Sequence, residues 1–295
     1  MKKRSEKLIT NTIKIAGSSS ILFILLIFFF LLREGLPAIS EVPLSALLDK
    51  RWYPIEDLFG ILPLISGSLI VTVFSILIAL PLGVGTAIYI GEIAPQSVKE
   101  VLKPMVEILA GIPSVVLGFI GILVLSPFLR RALDLPTGLT ALSGSILLAL
   151  ISIPTIVSIA EDALYAVPNS YRDAAYALGA THWQTIWGIS LPAARRGILT
   201  AVMLGVGRSL GETMAVMMVT GNAPTSFSGL ESFIAPVRTM TATIASEMGE
   251  VATGSTHYHV LFFIGIILFF FSLIINVSSS SGTSKPREDK AQVVS

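Results

Sequence analysis

Six long, nearly uncharged apolar stretches constrain this chain more than any other feature of its sequence. A helix that crosses a bilayer needs about 20 predominantly apolar residues. The six stretches lie at residues 15–32, 63–90, 106–125, 139–159, 198–219 and 260–277. Only 13% of the residues are charged, whereas soluble domains carry roughly a quarter. The sequence therefore predicts an all-α integral membrane protein with six transmembrane helices.

The first apolar stretch resembles a secretory signal in its basic start, MKKRSEK. However, the stretch is followed by Arg33-Glu34-Gly35-Leu36-Pro37, which offers no small-x-small cleavage site. We expect an uncleaved first helix. The predicted organisation is an N-terminal helix with its outer segment at 1–62, a core of five helices at 63–277, and a disordered cytoplasmic tail at 278–295, which is polar and low in complexity.

The distribution of Lys and Arg predicts the orientation of the chain, because cytoplasmic loops carry an excess of these residues. If the N-terminus is cytoplasmic, the inner segments hold 13 basic residues and the outer segments hold 6. Both termini and the segment 160–197 are then cytoplasmic, and the segments 33–62 and 220–259 lie outside.

Composition argues against several classes of function. The chain has no cysteine and three scattered histidines without HExxH or paired carboxylates, so neither a metal site nor a cofactor is expected. Its net charge of +1 gives no basic face for nucleic acid. No GxxxxGK[ST] phosphate loop occurs, so ATP hydrolysis would need a separate chain. A transport subunit, not an enzyme, is the expectation.

Two charges interrupt the fifth apolar stretch, Arg208 and Glu212. A charge at the middle of a span costs roughly 2.5–3.5 kcal/mol, and such residues normally face a bundle interior and mark a pathway. At a spacing of four residues the two side chains would share a helix face and could pair. One interpretation is a structural salt bridge. The other is that Arg208 binds an anionic substrate, which Glu212 orients or releases, because guanidinium suits oxyanions.

Small residues and acids elsewhere in the spans predict packing. Gly83, Ala87 and Gly91 are spaced four apart, which lets a neighbouring helix approach closely. Glu107 lies near the expected start of the third span and Glu92 near the end of the second. We interpret both as carboxylates that stabilise helix ends, in preference to a transport role.

The segment 160–197 predicts two short helices with a tight break. Ser170 to Asp173 and Thr181 to Gln184 each have the form of a capping box. Gly179 lies between them, and glycine is the usual residue just past a helix end. The alternative is a surface loop that covers the base of the bundle.

This segment also resembles a known motif. The residues Asp173, Ala174, Ala175, Gly179, Ile189, Leu191 and Pro192 match the spacing of the EAA loop, E-A-A-x3-G-x9-I-x-L-P, of ABC-importer permeases. The one departure is Asp173 in place of Glu. The resemblance implies the ABC type I importer (MetI-like) permease fold. It also implies that the segment docks on a separate ATP-hydrolysing subunit and couples its motion to the membrane helices.

The run 207–216, GRSLGETMAV, is similar to the G-R-A-I-G-E-T-M-A-V segment of phosphate-importer permeases of the PstC type. The runs 107–116 and 239–245 agree with the same family. The resemblance implies a pathway for inorganic phosphate that involves Arg208, Ser209, Glu212 and Thr213. It also implies a PstA-type second permease, a dimer of PstB-type ATP-binding subunits and an extracytoplasmic phosphate-binding protein, in the inner membrane of a bacterium or archaeon.

Other interpretations stay open at this point. The substrate could be sulfate, molybdate or tungstate, since permeases for these oxyanions share the EAA-type loop. An ion-coupled secondary anion transporter would use Arg208 and Glu212 as a proton-linked site but would not need the EAA spacing. A membrane enzyme lacks a nucleophile–base pair, and a passive scaffold would not need buried charges. Dependence of transport on a co-expressed ATPase separates an ABC permease from an ion-coupled secondary transporter.

Overall fold

The computed structural model describes residues 2–224 and 229–281, which are almost entirely helical. In chain order the helices are α1 (Lys2–Gly35), α2 (Pro37–Glu41), α3 (Leu44–Leu47), α4 (Leu62–Ile88), α5 (Gln96–Gly111), α6 (Ser114–Ile120), α7 (Ser126–Ala132), α8 (Ala141–Tyr165), α9 (Asn169–Ala177), α10 (His182–Thr185), α11 (Leu191–Gly211), α12 (Met214–Val219), α13 (Met240–Glu247) and α14 (Thr256–Ser281). Strands β1 (Trp52–Tyr53) and β2 (Leu58–Phe59) pair antiparallel in the segment before α4.

Three π-helical turns lengthen or join helices within the described residues. Tyr89–Ile93 extends α4, Gly121–Leu125 joins α6 to α7, and Ile186–Ser190 joins α10 to α11. With these turns included, six helical segments of the described part of the chain are long and apolar enough to cross a membrane. They are Ile9–Glu41, Leu62–Ile93, Ser114–Ala132, Ala141–Tyr165, His182–Gly211 and Thr256–Ser278. The prediction of six spans is confirmed.

The third span begins later than the sequence predicts. The backbone is extended at Ile112 and Pro113, so α5 ends at Gly111 and the span starts at Ser114. The physical reason is that a residue preceding proline is disfavoured in the helical region. Glu107 therefore lies in the last turns of α5, and its interpretation as an acid near the start of a helix is wrong.

The ends of the fifth span and of the tail also differ from the prediction. Helix α11 stops at Gly211, where Glu212 is extended, and the chain resumes as α12. At the other end the helical segment starts at His182, because the π turn keeps α10 continuous with α11. Helix α14 continues to Ser281, into the first residues of the tail predicted at 278–295. The rest of that tail, 282–295, lies outside the described residues.

Helix α8 is the centre of the bundle, and α4 and α11 pack on it through glycines. A Cβ atom added at Gly83 of α4 would lie 2.8 Å from Ile156 Cγ2, and one at Gly205 of α11 would lie 2.7 Å from Ile156 Cγ1. Ala87 is fully buried, and a Cβ at Gly91 would lie 3.5 Å from Leu164. The predicted close approach of a helix along residues 83–91 is confirmed, and that helix is α8.

Candidate functional site

The position of Arg208 along the bundle follows from its neighbour Ser209. Ser209 Oγ lies 2.8 Å from Ser152 Oγ, and Ser152 is near the middle of the 25-residue α8. Helix α11 runs antiparallel to α8, since Gly205 contacts Ile156 and Gly197 contacts Ala163. Arg208 therefore lies at about half the height of the bundle.

The side chain of Arg208 is exposed on the surface of the chain. Within residues 9–224 and 231–278, whose side chains are described, it has neither an ion pair nor a hydrogen bond, and the expected pair with Glu212 is not formed. The reason is that α11 ends at Gly211 and the backbone at Glu212 is extended (φ −69°, ψ 129°). The helical spacing assumed from the sequence does not hold across this break.

Glu212 instead stabilises the start of the next helix. Its Oε1 accepts hydrogen bonds from the backbone N–H groups of Thr213 (3.2 Å) and Ala215 (3.3 Å). These donors have no carbonyl partner within α12, because the first N–H groups of any helix lack one. The backbone carbonyl of Glu212 accepts a hydrogen bond of 3.1 Å from Thr241 Oγ1 of α13. Glu212 thus holds the interruption between α11 and α12 in place.

The structure does not bring the other two predicted pathway residues onto one face with Arg208. Ser209 is 2% exposed and faces α4 and α8, where its hydroxyl also lies 3.0 Å from Ser75 Oγ. Thr213 is half-buried, and its hydroxyl donates to the Gly211 carbonyl at 3.3 Å. Sequence reasoning missed Ser75 and Ser152. Each is one of several Ser and Thr residues in an apolar span, and such side chains form hydrogen bonds between membrane helices, but nothing in the sequence singles out these two.

The predicted break in the segment 160–197 is present. Helix α9 ends in a Schellman motif, in which the N–H of Ala180 donates to Ala175 O (3.0 Å) and that of Gly179 to Tyr176 O (2.9 Å). Gly179 has φ +82°, a backbone conformation that favours glycine. The Thr181–Gln184 capping box is confirmed.

The capping box predicted at Ser170 and Asp173 is wrong. Helix α9 starts at Asn169, after Pro168, which is two residues earlier than a box with Ser170 as its N-cap requires, and no side chain caps it. The second helix is also not a separate element, because α10 runs through the π turn into the fifth span. Of the EAA-type residues, Ile189 lies in that π turn, and Leu191 and Pro192 open α11.

The face of α9 and α10 that points away from the bundle is apolar and uncovered. Leu178 is 89% exposed, and Trp183 and Trp187 are 57% and 58% exposed. The two indole rings are in edge contact, with centroids 5.9 Å apart. Asp173 and Ala174 are exposed as well, whereas Ala175 is buried. Leu178 lies before the fifth span and the two tryptophans lie at its first residues, and a contiguous exposed apolar patch of this kind marks an interaction surface.

Arg172 and Glu92 fasten α9 to the bundle, a role that sequence reasoning missed. Arg172 Nη2 donates to Glu92 Oε1 at 2.7 Å and Nε donates to Oε2 at 3.3 Å. The same guanidinium donates to the carbonyls of Leu164 (2.9 Å) and Val167 (2.7 Å) at the end of α8. Glu92 therefore forms an ion pair across 80 residues of sequence instead of stabilising its own helix end. Neither sequence neighbourhood contains a signal for that pairing.

A second ion pair joins α5 to α8 on the same end of the bundle. Lys103 Nζ lies 2.6 Å from Glu161 Oε1, and the Glu161 side chain is only 12% exposed. The hydrogen bond to Glu161 raises the pKa of Lys103 above its ordinary value of 10.5, against the lowering effect of burial. Lys103 is therefore protonated at physiological pH and neutralises the acid of α8.

The opposite end of the bundle carries a cluster around Glu247. Its Oε1 lies 2.7 Å from Arg238 Nη2 and accepts a hydrogen bond of 3.1 Å from Trp52 Nε1. Its Oε2 lies 2.8 Å from His257 Nε2. These contacts connect α13, α14 and the strand β1. The cluster fixes the segments 33–62 and 220–259 to one another.

The helical bundle, the interrupted spanning helix and the projecting α9–α10 segment define a multi-pass membrane transport permease. Its fold matches the MetNI methionine ABC transporter in an inward-facing conformation, with a TM-score of 0.55 at 21% identity over 76% of this chain and 95% of that one. It also matches a bacterial ABC transporter for the polysaccharide alginate, with a TM-score of 0.56 at 16% identity over 92% of this chain and 99% of that one.

The chain belongs to the family of binding-protein-dependent transport system inner membrane components, which matches residues 79–281. It is 43% identical to the probable ABC transporter permease protein YqgH of Bacillus subtilis, over 81% of this chain and 78% of that protein. It is 37% identical to the phosphate transport system permease protein PstC of Mesorhizobium japonicum, over 81% of this chain and 77% of that one. The predicted MetI-like permease fold is confirmed.

Proposed function

We propose that this chain is one membrane subunit of an ATP-driven importer that takes inorganic phosphate from a binding protein. The observation that carries the proposal is the exposed guanidinium of Arg208 at half the height of the bundle, beside a helix interruption and without a partner among residues 9–224 and 231–278. A charge that faced lipid there would cost roughly 2.5–3.5 kcal/mol. Non-helical backbone at membrane depth is tolerated only where it is buried in protein or lines a water-filled cavity. Arg208 therefore faces a second protein chain or an aqueous path.

Arg208 faces both a second protein chain and an aqueous path if the pathway lies between this chain and a second, PstA-type permease. Arg208 then points into the shared path, and its planar fork of donors binds two oxygens of a phosphate ion. Ser209 anchors α11 on the opposite side, through Ser152 and Ser75. Glu212 and Thr213 form the interruption itself. They contribute to the path by fixing where α11 ends.

The α9–α10 segment is the docking element for the ATPase in this proposal. The exposed side chains of Leu178, Trp183 and Trp187 suit an apolar groove on a PstB-type subunit, and Asp173 at the rim suits a basic group. ATP hydrolysis then belongs to the partner dimer. Both termini and residues 160–197 lie in the cytoplasm, and the end with the Glu247 cluster meets the phosphate-binding protein.

The proposal is tested by reconstituting the chain with its permease partner, ATPase and binding protein in lipid vesicles, and by measuring uptake of labelled phosphate. Arg208→Ala is expected to lower uptake more than tenfold while the complex assembles and hydrolyses ATP. Arg208→Lys, which keeps the charge but loses the fork, is the matched control and is expected to retain part of the uptake.

Three results would contradict the proposal. Full uptake by Arg208→Ala removes Arg208 from the pathway. Loss of assembly in both variants makes Arg208 a structural residue. Uptake that runs on an ion gradient without the ATPase identifies a secondary transporter instead. Competition by sulfate or molybdate in the same assay separates phosphate from the other oxyanions.

A further inference from the structure

One residue of the second span holds both helices of the projecting segment. The Glu92 carboxylate binds Arg172 of α9 through two hydrogen bonds. The Glu92 carbonyl is 3.1 Å from His182 Nε2 of α10. A carbonyl only accepts, so His182 Nε2 is the donor. Glu92 is therefore the common anchor of α9 and α10.

The π turn at the end of α4 explains why this carbonyl is free to accept. Glu92 lies in Tyr89–Ile93, the last helical turn before the chain becomes extended at Ala94. The last carbonyls of a helix have no intrahelical partner. His182 satisfies one of them, and Tyr176 OH, 2.8 Å from His182 Nδ1, holds the imidazole in that orientation. The contact is therefore fixed from both sides of the ring.

Arg172 extends the anchor to the fourth span. Its side chain is 16% exposed, and all three guanidinium nitrogens have partners. Besides Glu92, it binds the carbonyls of Leu164 and Val167, at the C-terminal end of α8. Helices α4 and α8 pack closely against each other, with Gly83 facing Ile156. A displacement of α9 therefore pulls on both helices at once.

The outer face of the same segment has no such connection. Leu178, Trp183 and Trp187 are exposed, and Gly179, with φ +82°, forms the break between the two helices. The segment thus has one face available to a partner and one face bound to α4 and α8 through polar contacts, of which those of Arg172 are partly buried. A bidentate Arg–carboxylate pair at low exposure transmits displacement because its geometry is directional.

We infer that Arg172, held by Glu92, is the positioning residue through which a displacement of α9 reaches the second and fourth spans. This inference rests on the proposed function, since the displacement is that of the docked ATPase. It assigns a role to two residues outside the EAA-type positions. Arg172 does not touch the transported ion in this scheme; it acts through α4 and α8.

The test uses the reconstituted complex with Arg172→Gln, Arg172→Lys and Glu92→Gln. The matched control is Arg195→Gln, an exposed arginine of α11 on the same end of the bundle. Arg172→Gln is expected to leave assembly intact and basal ATP hydrolysis within about twofold. Uptake per ATP hydrolysed should fall at least tenfold, and stimulation of hydrolysis by the loaded binding protein should be lost. Arg172→Lys should retain part of the uptake per ATP hydrolysed. Arg195→Gln should equal the parent in both uptake per ATP and stimulation.

A second readout does not depend on the identity of the anion. The chain has no cysteine, so spin labels at Leu25→Cys of α1 and Leu77→Cys of α4, both exposed positions, report one distance in the assembled complex. An ATP analogue is expected to change this distance in the parent and not in Arg172→Gln.

The outcomes of the two measurements separate the inference about Arg172 from the proposed substrate. A change that persists in Arg172→Gln, or no change in the parent, overturns the inference. An equal loss of assembly and basal hydrolysis in Arg172→Gln and Arg172→Lys makes the residue merely structural and also overturns it. A parent complex that shows the distance change but takes up no phosphate leaves the inference standing and refutes the proposed substrate.

Discussion

Ser209 of α11 and Ser152 of α8 share a hydrogen bond of 2.8 Å at half the height of the bundle. Successive residues of a helix are rotated by about 100°. Because Ser209 points at α8, its neighbour Arg208 is turned away from the bundle and is exposed. A contact between two hydroxyl groups thus decides which way the charged side chain faces.

Replacing this hydroxyl should have a small effect on stability. We expect Ser209→Ala to lower the free energy of unfolding by about 0.6 kcal/mol, the average for hydrogen bonds between membrane helices. Ser209→Leu should be far more damaging, because the site is 2% exposed and has no room for the larger side chain. Unfolding of the purified chain in mixed micelles measures both. Equal effects of the two substitutions would contradict a tightly packed contact.

Phosphate uptake should tolerate removal of the negative charge of Glu212 but not removal of its side-chain oxygen acceptor. Glu212→Gln keeps an acceptor for the N–H groups of Thr213 and Ala215, so uptake should stay within about threefold of the parent. Glu212→Ala removes this cap, which is typically worth about 0.5–2 kcal/mol, and uptake should fall about tenfold. Rates of phosphate uptake in vesicles check the prediction. An inactive Glu212→Gln would instead indicate that the group carries a proton.

The stability cost of replacing a glycine of α4 by alanine should depend on which residue faces that glycine. Gly83→Ala places a methyl group 2.8 Å from Ile156 Cγ2, and such overpacking costs about 1–3 kcal/mol. Gly85→Ala, two residues later, meets nothing within 4 Å and is the matched control. Unfolding midpoints of the two variants should therefore separate clearly. A Gly83→Ala variant as stable as Gly85→Ala would show that α4 does not approach α8 this closely.

Gly179 should be required for its backbone conformation, not for space. It has φ +82°, with nothing near its Cα hydrogens. A side chain in the left-handed region costs about 1–2 kcal/mol. Gly179→Ala should therefore raise the amide-exchange rate of residues 169–180. Gly188→Ala is the control, since Gly188 is equally open but has an ordinary φ. Identical exchange in the two variants would count against the prediction.

The Lys103–Glu161 pair should contribute to the stability of the folded state at neutral pH and lose that contribution at alkaline pH. The folded-state pKa of Lys103 is raised above 10.5 by its hydrogen bond to Glu161. A raised pKa of a base contributes stability that is fully present below the unfolded value and is lost as the pH rises through the folded value. Lys103→Gln should thus be less stable than the parent at pH 7 to 9, with the difference shrinking as the pH rises above 10.5 and through the folded-state pKa of Lys103. Because Lys103 is 48% exposed, the effect should be modest.

The amino-acid sequence by itself determined the elements whose cause is local. Six apolar stretches specify six spans because each helix satisfies its own backbone hydrogen bonds and needs only sufficient apolar length. The Thr181–Gln184 box and the left-handed Gly179 are likewise set by a few consecutive residues.

Only the tertiary structure decided the relations between distant residues. The separation of four residues between Arg208 and Glu212 indicated an ion pair. The break in the helix at Glu212 separates the two side chains, and Glu212 binds the start of α12 instead. Arg172 meets Glu92 across 80 positions because α8 and α4 pack side by side and bring their ends together. Such contacts depend on helix packing over the whole bundle, and no local pattern encodes them.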